Sequence, residues 1–237
     1  MCAQQLKTIL EQGGYVGRGV LLGLSPGAKC AAMAYFIMGR SANSQNRRFV
    51  RQGDGICIQA VDAAAVVGNP SLVFYTPVRR VGPHTIVTNG DQTDTIYAAL
   101  LRGDTFEDAL RTRRFEPDAP HFTPRISGLL TVTGGALTYT LSILKSADVQ
   151  GRACLRQFFE YEPRMGLGHL LHTYRGDGDP LPAFAGEPAE VELPPTAQEL
   201  AALLWQSLHP AYKVSLFVRY ADLATGGEQS RIYNQHE

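Results

Sequence analysis

Short strand-like segments, separated by glycine and proline turns, make up most of this 237-residue chain. About ten segments have the apolar or alternating pattern of strands, and three or four have a helical pattern. The two kinds do not alternate as they would in a series of parallel β-α-β units. The pattern therefore predicts an α+β fold, with helices packed on large, mainly antiparallel sheets.

The chain is expected to form one domain over residues 1–237. This length is ample for a buried core, and no internal repeat or low-complexity tract marks a boundary. We expect residues 1–14 to be an N-terminal helical extension that ends at a pair of glycines. The proline-rich residues 178–195 lack periodicity and are expected to be a surface loop excursion.

Several individual elements can be predicted from local patterns. Residues 30–38 and 72–75 read as strands, and residues 126–144 read as a hairpin about two adjacent glycines. Asp104, followed three residues later by Glu107, predicts a capping box at a helix start.

Charge and cysteine usage narrow the classes of function. The chain has 22 Lys and Arg against 22 Asp and Glu, so no overall basic field favours nucleic acid. The four cysteines, among them Cys2, show no CxxC spacing, so neither a metal site nor a disulfide framework is expected. No signal peptide and no apolar run of roughly 18 residues is present, so we expect no membrane partner and a cytoplasmic location.

Two stretches early in the chain are rich in groups that bind anions. The apolar strand at residues 30–38 is followed by a polar turn that contains Arg40, Ser41, Asn43 and Arg47. Arg18 stands between two glycines, which allow a ligand to approach the backbone closely. Arginine forks suit phosphate or carboxylate. The alternatives are an ordinary solvated loop and an exposed edge-strand arginine.

A second concentrated stretch, residues 113–125, holds two carboxylates in a path stiffened by three prolines. Glu116 and Asp118 are its acids, and Arg125 closes it. Such rigidity suits a preorganised site. The alternative is a stiff connector whose acids pair with neighbouring arginines.

Three further polar residues adjoin predicted element ends. Tyr75 ends a short strand, where a tyrosine ordinarily packs its ring and wets its hydroxyl. Asn89 precedes a glycine turn, and Asp91 follows it at the start of a helix, where free N–H groups can bind an anion. The alternative for Asp91 is that it simply caps its own helix.

Taken in order, these stretches resemble the archaeal-type inosine monophosphate (IMP) cyclohydrolase family, and we take the chain as a bacterial member. The matching pieces are Tyr15-Val-Gly-Arg18, Gly39-Arg-Ser41 with Asn46-Arg47, Val87-Thr-Asn-Gly90 with Thr93-Asp94, Glu116-Pro-Asp118 with Thr123-Pro-Arg-Ile126, and His172-Thr-Tyr174. The chain departs from the archaeal pattern in its N-terminal extension, the insertion at residues 42–45, Asp91-Gln92 and His121-Phe122.

The resemblance implies a four-layer αββα sandwich like that of the N-terminal-nucleophile hydrolases. It implies dehydrative closure of 5-formamidoimidazole-4-carboxamide ribotide to IMP, with neither metal nor organic cofactor. The substrate-binding residues would be Arg18, Arg40, Ser41, Asn43, Arg47, Asn89 and Asp91. The catalytic residues would be Tyr75, Glu116, Asp118 and Arg125.

Other functions remain open at this stage. One is a catalytically silent protein that binds purine ribotides. Another is a different enzyme on the same fold, either an amide hydrolase that uses Cys2 or a relative that also transfers the formyl group. A small-molecule ribotide is the expected partner, and the sequence is compatible with a homo-oligomer.

Overall fold

A computed structural model describes residues 5–66 and 74–236, and it confirms the predicted α+β class with mainly antiparallel sheets. The helices of the described residues are α1 (Leu6–Gly13), α2 (Ala42–Gln45), α3 (Gln92–Arg102), α4 (Phe106–Arg111) and α5 (Ala197–Ser207). The strands are β1 (Arg18–Leu24), β2 (Cys30–Met38), β3 (Arg48–Gln52), β4 (Gly55–Gln59), β5 (Val78–Val81), β6 (His84–Thr88), β7 (Arg125–Thr133), β8 (Ala136–Ser146), β9 (Cys154–Tyr161), β10 (Leu167–His172), β11 (Ala189–Glu192), β12 (Lys213–Asp222) and β13 (Glu228–Asn234).

Two antiparallel sheets contain these strands. The first has the order β11-β10-β1-β2-β12-β13, and the second has the order β3-β4-β5-β6-β7-β8-β9. The predicted strand at residues 30–38 is β2, which lies in the middle of the first sheet between β1 and β12. The predicted hairpin is formed by β7 and β8, joined at Gly134 and Gly135.

The first sheet has apolar side chains on both faces. Alternate residues such as Leu21 and Phe36 pack in one buried cluster with Leu10 of α1 and Leu204 of α5. Their neighbours along the strands point to the other face, because side chains alternate along a strand. That face contributes Val20, Tyr35 and Phe217 to a second cluster.

The second cluster also contains residues of the other sheet, so the two sheets pack against each other. Ile126 of β7 and Leu141 of β8 are among its members. A third cluster joins the opposite face of the second sheet, through Ile86 and Leu144, to α3 and α4. Both faces of both sheets are therefore covered, which fits the apolar runs that identified the strands.

The prediction for residues 178–195 needs correction. Residues Ala189–Glu192 form β11, which pairs with β10, and Val191 is fully buried opposite Gly168. Leu181 and Phe184 are also buried. A four-residue strand among prolines is too short for its periodicity to be recognised, although Val191 alternates with two exposed or half-exposed glutamates.

The predicted cap of α4 is wrong by one residue. Thr105, not Asp104, is the N-cap, and its Oγ1 accepts a hydrogen bond from the Asp108 amide at 3.0 Å. The Asp104 amide instead donates to Ala99 O at 3.0 Å. Asp104 therefore belongs to the turn that ends α3, where Gly103 has a left-handed φ of 85°.

Two predictions involve residues outside the described ranges. The first concerns Cys2, and the second is the strand 72–75, of which residues 72 and 73 lie outside. Within the described ranges no helix has the length and apolarity to cross a membrane.

Candidate functional site

Residues from four distant parts of the chain meet beside the start of β1. Arg18, the first residue of that strand, lies close enough to Glu116 and Tyr75 for their charges to act on its pKa. Gly17 permits this approach, because its φ is 76° and a Cβ there would lie 2.2 Å from Thr173 Oγ1. The structure thus brings together Arg18, Tyr75 and Glu116, as the sequence predicted for one site.

A pair of tyrosines lies at the centre of this group. The Tyr35 and Tyr75 hydroxyls are 2.8 Å apart and buried. Burial raises the pKa of both phenols, and that of Tyr35 is raised the further. The hydrogen bond between the two hydroxyls can run in either direction, so the Tyr75 hydroxyl can donate to Tyr35 or, when Tyr35 donates, to another acceptor.

Two arginines adjoin the tyrosines: Arg47 is buried and Arg18 is half-buried. Arg47 is 1% exposed, and its Nε donates to Ser44 O at 2.8 Å. Arg47 Nη2 and Arg18 Nε have no hydrogen-bond partner among the described residues. Burial and the charge of Arg18 lower the pKa of Arg47. Burial acts to lower the pKa of Arg18 as well, but Glu116 and the neighbouring tyrosines outweigh it, and the pKa is raised overall.

This arrangement is electrostatically incomplete. Within the described ranges, neither Arg18 nor Arg47 has a carboxylate within ion-pair distance. Two neighbouring cations whose unpartnered N–H groups are buried are costly unless an anion joins them. The pair is therefore suited to bind a dianionic group such as a phosphate monoester.

Glu116 is the buried acid of the group, and it is 4% exposed. Burial raises its pKa to about 7, against the opposing charges of Arg18 and Arg125. Its amide donates to Thr123 O at 2.9 Å, which closes the loop between these two residues. A carboxyl group with a pKa near neutrality can both accept and return a proton at physiological pH.

Asp118 has a different environment from Glu116. Its Oδ1 accepts from the Thr123 amide at 2.7 Å, and its Oδ2 accepts from Thr123 Oγ1. The Thr123 hydroxyl also lies 2.6 Å from the Tyr174 hydroxyl. Asp118 therefore anchors the loop that carries Glu116, and the Thr123–Tyr174 contact joins the loop to the end of β10.

Arg125 and Asp91 form a second ionic group next to Glu116. Arg125 Nη1 is 2.6 Å from Asp91 Oδ1 and donates to Gln92 Oε1 at 2.6 Å. Arg113 also pairs with Asp91 at 2.6 Å. Partial burial acts to raise the pKa of Asp91, but the two arginines hold that pKa below its usual range. Asp91 makes no side-chain capping bond to α3, so the capping alternative is excluded.

Asn89 has its hydrogen bonds satisfied by the protein. Its Nδ2 donates to Pro124 O at 2.8 Å, and its Oδ1 accepts from the Ile126 amide at 2.8 Å. The residue is fully buried and ties the end of β6 to the start of β7. Its position supports the residues around Arg125.

The polar turn after β2 is divided between two environments. Arg47 is buried with Arg18, whereas Arg40 pairs with Asp177 at 2.5 Å and lies over the Tyr15 ring at 5.1 Å. Ser41 caps α2 by accepting from the Ser44 amide at 3.1 Å, and Asn43 lies within that helix. Arg40 is connected to the buried group through Tyr15, whose charge raises the pKa of Arg18.

Tyr35, Tyr15 and Thr123 belong to this group, but the sequence analysis gave none of them a role, and Tyr15 and Thr123 appear there only within the family motifs. Tyr35 lies within the apolar run of β2, where it reads as a core residue. The available signal was chemical, because a phenol inside a strand buried on both faces must find a hydrogen-bond partner.

Comparisons with known proteins identify the family of this chain. Residues 15–227 match the family described as IMP cyclohydrolase-like protein. The IMP cyclohydrolase of Methanopyrus kandleri is 34% identical over 164 residues, which cover 68% of this chain and 75% of that protein. The IMP cyclohydrolase of Halobacterium salinarum is 33% identical over 126 residues, which cover 52% of this chain and 60% of that protein.

The matched range contains all the residues of the site described above. The chain therefore belongs to the IMP cyclohydrolase-like protein family.

Proposed function

We propose that this protein is an IMP cyclohydrolase that closes the purine ring of 5-formamidoimidazole-4-carboxamide ribotide. The observation that carries the proposal is the Arg18–Arg47 pair, with its buried and unpartnered N–H groups, beside the hydrogen-bonded Tyr35–Tyr75 pair. The arginine pair is suited to bind a phosphate, and the tyrosine pair can donate a hydrogen bond to a carbonyl oxygen. The names of the relatives from M. kandleri and H. salinarum support the same reaction.

The 5′-phosphate of the substrate would bind to Arg18 and Arg47. A phosphate dianion there would satisfy the unpartnered Nε and Nη2 atoms and offset the repulsion between the two cations. We assign Arg40, Ser41 and Asn43 to the outer side of the same phosphate site. Movement of Arg40 onto the phosphate would require it to leave Asp177.

Ring closure begins when the carboxamide nitrogen attacks the formyl carbon. A C–N bond forms, one proton leaves the nitrogen, and the formyl oxygen gains a proton to give a carbinolamine. The C–O bond then breaks, and the hydroxyl leaves as water with the proton of the former formamide nitrogen, where the ring C=N bond forms. Holding the two groups in contact lowers the barrier, since an amide nitrogen is a weak nucleophile.

Tyr75 would donate to the formyl oxygen and later to the departing hydroxyl. Tyr35 would support this role by donating to Tyr75, which would leave the Tyr75 hydrogen free for the substrate. Glu116, with its pKa near neutrality, would accept the proton from the carboxamide nitrogen. Asp118 would position Glu116 through the loop, and Arg125 with Asn89 and Asp91 would complete that side of the pocket.

The packing supports a four-layer αββα sandwich of the kind found in N-terminal-nucleophile hydrolases. Three buried clusters separate, in order, α1 and α5, the first sheet, the second sheet, and α3 and α4. In this proposal the fold supplies the scaffold, and the residues around Tyr75 supply the chemistry.

An absorbance assay of purified protein with the formamido ribotide tests the reaction. Formation of IMP is expected from the unaltered chain. The Arg47→Lys variant should mainly weaken ribotide affinity, by about tenfold or more, because a point charge replaces a planar fork. Tight ribotide binding without turnover would show a silent binding protein instead. Absence of both would leave a shared fold without the activity.

A further inference from the structure

A second concave space lies on the chain segment that follows α4. Its volume is about 540 Å³, and Arg113, Arg114, Phe115, Phe122 and Arg125 line it together with Gly151. Sites for small molecules commonly have volumes of roughly 300–1,000 Å³. None of the roles proposed above for the ring-closing site uses Arg114, Phe115 or Phe122.

The charge of this space is positive. Arg113 and Arg125 share a single carboxylate partner, Asp91, at 2.6 Å from each. Arg114 Nη2 donates to two backbone carbonyls, Gly151 O at 3.1 Å and Arg152 O at 2.7 Å. Arg125 is 5% exposed, and its Nε has no partner among the described residues. The three arginines therefore carry more positive charge than their partners neutralise.

Two aromatic rings complete the lining. Phe115 and Phe122 make an edge-to-face pair with centroids 5.5 Å apart, and the Arg114 guanidinium lies 5.3 Å from the Phe115 centroid. Phe122 has a φ of 43°, a left-handed conformation that is costly for a bulky side chain. Strain of this kind concentrates at ligand sites. Gly151 makes room for the ring, since a Cβ there would lie 2.5 Å from it.

We propose that this space binds a nucleotide, a phosphate monoester joined to a planar base, at a site distinct from the Arg18–Arg47 phosphate site. Arg113 and Arg114 would receive the phosphate through charge-assisted hydrogen bonds, and Phe122 would contact the base. Phe115 immediately precedes Glu116, and Phe122 immediately precedes Thr123. Binding here would thus be transmitted to the loop that carries Glu116.

Amide hydrogen exchange of the full chain, measured with and without adenosine monophosphate as the probe, locates the segments that form the binding site. Slower exchange is expected in residues 112–124 and 147–153. Inorganic phosphate and adenosine, tested separately, distinguish a simple anion site and a base site from a nucleotide site. Each alone should protect these segments less than adenosine monophosphate does.

The Arg114→Glu variant should weaken this binding by about tenfold or more, because a repulsive charge replaces an attractive one. Arg114 is exposed, so the fold should be retained, and unchanged thermal unfolding checks this. Arg102→Glu is the matched control, since it makes the same charge change outside the space and should leave affinity unaltered.

Protection confined to segments around residues 18, 47 and 75, or affinity unchanged by Arg114→Glu, would overturn the proposal. Equal protection by inorganic phosphate alone would show an anion site without nucleotide recognition and would also overturn it. The result does not depend on ring closure. A protein without turnover could still show the Arg114-dependent protection, and an active cyclohydrolase could lack it.

Discussion

Tyr75 and Glu116 illustrate how burial changes the chemistry of single residues. Both are ordinary surface side chains in other settings, and here both lie among the arginines of one site. Burial keeps the phenol protonated and raises the pKa of the carboxyl group to about 7. The site therefore holds one group that can donate a proton and one that can exchange it near neutral pH.

The Tyr75→Phe variant removes the proposed donor while keeping the ring. Turnover should fall by about 10²- to 10⁴-fold, the usual contribution of a general acid, with ribotide affinity little changed. The matched variant Tyr35→Phe should cause a smaller fall, since Tyr75 would keep its hydroxyl but lose its orienting partner. Steady-state kinetics and equilibrium binding measure both effects. Unaltered kcat in Tyr75→Phe would remove Tyr75 from the chemistry.

The raised pKa of Glu116 predicts a pH dependence of stability. Between its ordinary value of 4.5 and about 7, the folded state binds the proton more tightly than the unfolded chain does. This contribution, about 3 kcal/mol, is fully present below pH 4.5 and is lost as the pH rises through 7. Glu116→Gln should lack this loss, so its free energy of unfolding should rise relative to the unaltered chain between pH 5 and 8.

Urea unfolding of both proteins across that range gives the comparison. A parallel pH dependence in the two proteins would mean that Glu116 titrates normally in the folded state. Because every other titratable group is common to both chains, the difference between them isolates Glu116.

At the scale of elements, the junction of α3 and α4 shows how caps fix the boundaries. Gly103 ends α3 in a left-handed conformation, and Thr105 begins α4 two residues later. Leu110 of α4 and Ile96 of α3 then reach the same buried cluster. The segment that carries Glu116 starts directly after α4, so the end of that helix determines where the segment begins.

Thr105→Ala should reduce the free energy of unfolding by about 0.5–2 kcal/mol, through loss of the bond from the Asp108 amide. Asp104→Ala is the neighbouring control and should have a smaller effect, since its side chain bonds only the exposed Arg102 in this region. Denaturant unfolding measures both. A larger loss in Asp104→Ala would restore Asp104 as the cap.

At the scale of the whole molecule, the packing between the two sheets holds the site together. Tyr35 belongs to the first sheet, and Tyr75 lies beside the second, where Ile58 of β4 donates to its carbonyl at 3.1 Å. Their hydrogen bond therefore crosses from one sheet to the other. Any change in the separation of the sheets is expected to reach the Tyr35–Tyr75 pair directly.

Leu141→Ala creates a cavity in this layer, because Leu141 is fully buried between the sheets. The free energy of unfolding should fall by about 2–5 kcal/mol. Val149→Ala is the control, since Val149 is 85% exposed and should change stability by less than about 0.5 kcal/mol. If thermal and denaturant unfolding gave similar values for both variants, the layer would not be the main source of stability.

Local patterns were sufficient for elements whose signal is contained in consecutive residues. The apolar run of β2 and the hairpin turn between β7 and β8 were predicted in this way. β11 and the cap of α4 were not, because a four-residue strand has almost no periodicity and two adjacent residues could each cap the helix. Pairing with β10 defines β11 in the structure, and the turn at Gly103 leaves Thr105 as the residue that caps α4.

The sequence by itself determined the class of fold, the family and the residues that supply charge: Arg18, Arg47, Glu116 and Asp118. These follow from residue type and order, which need no knowledge of contacts. Only the tertiary structure decided which arginines lie together, that Tyr35 and Tyr75 share a hydrogen bond, and that Asp118 anchors the loop while Glu116 has a raised pKa. The two tyrosines are 40 residues apart, and Arg18 and Glu116 come from different segments of the chain, so no local pattern contains their burial or their contacts.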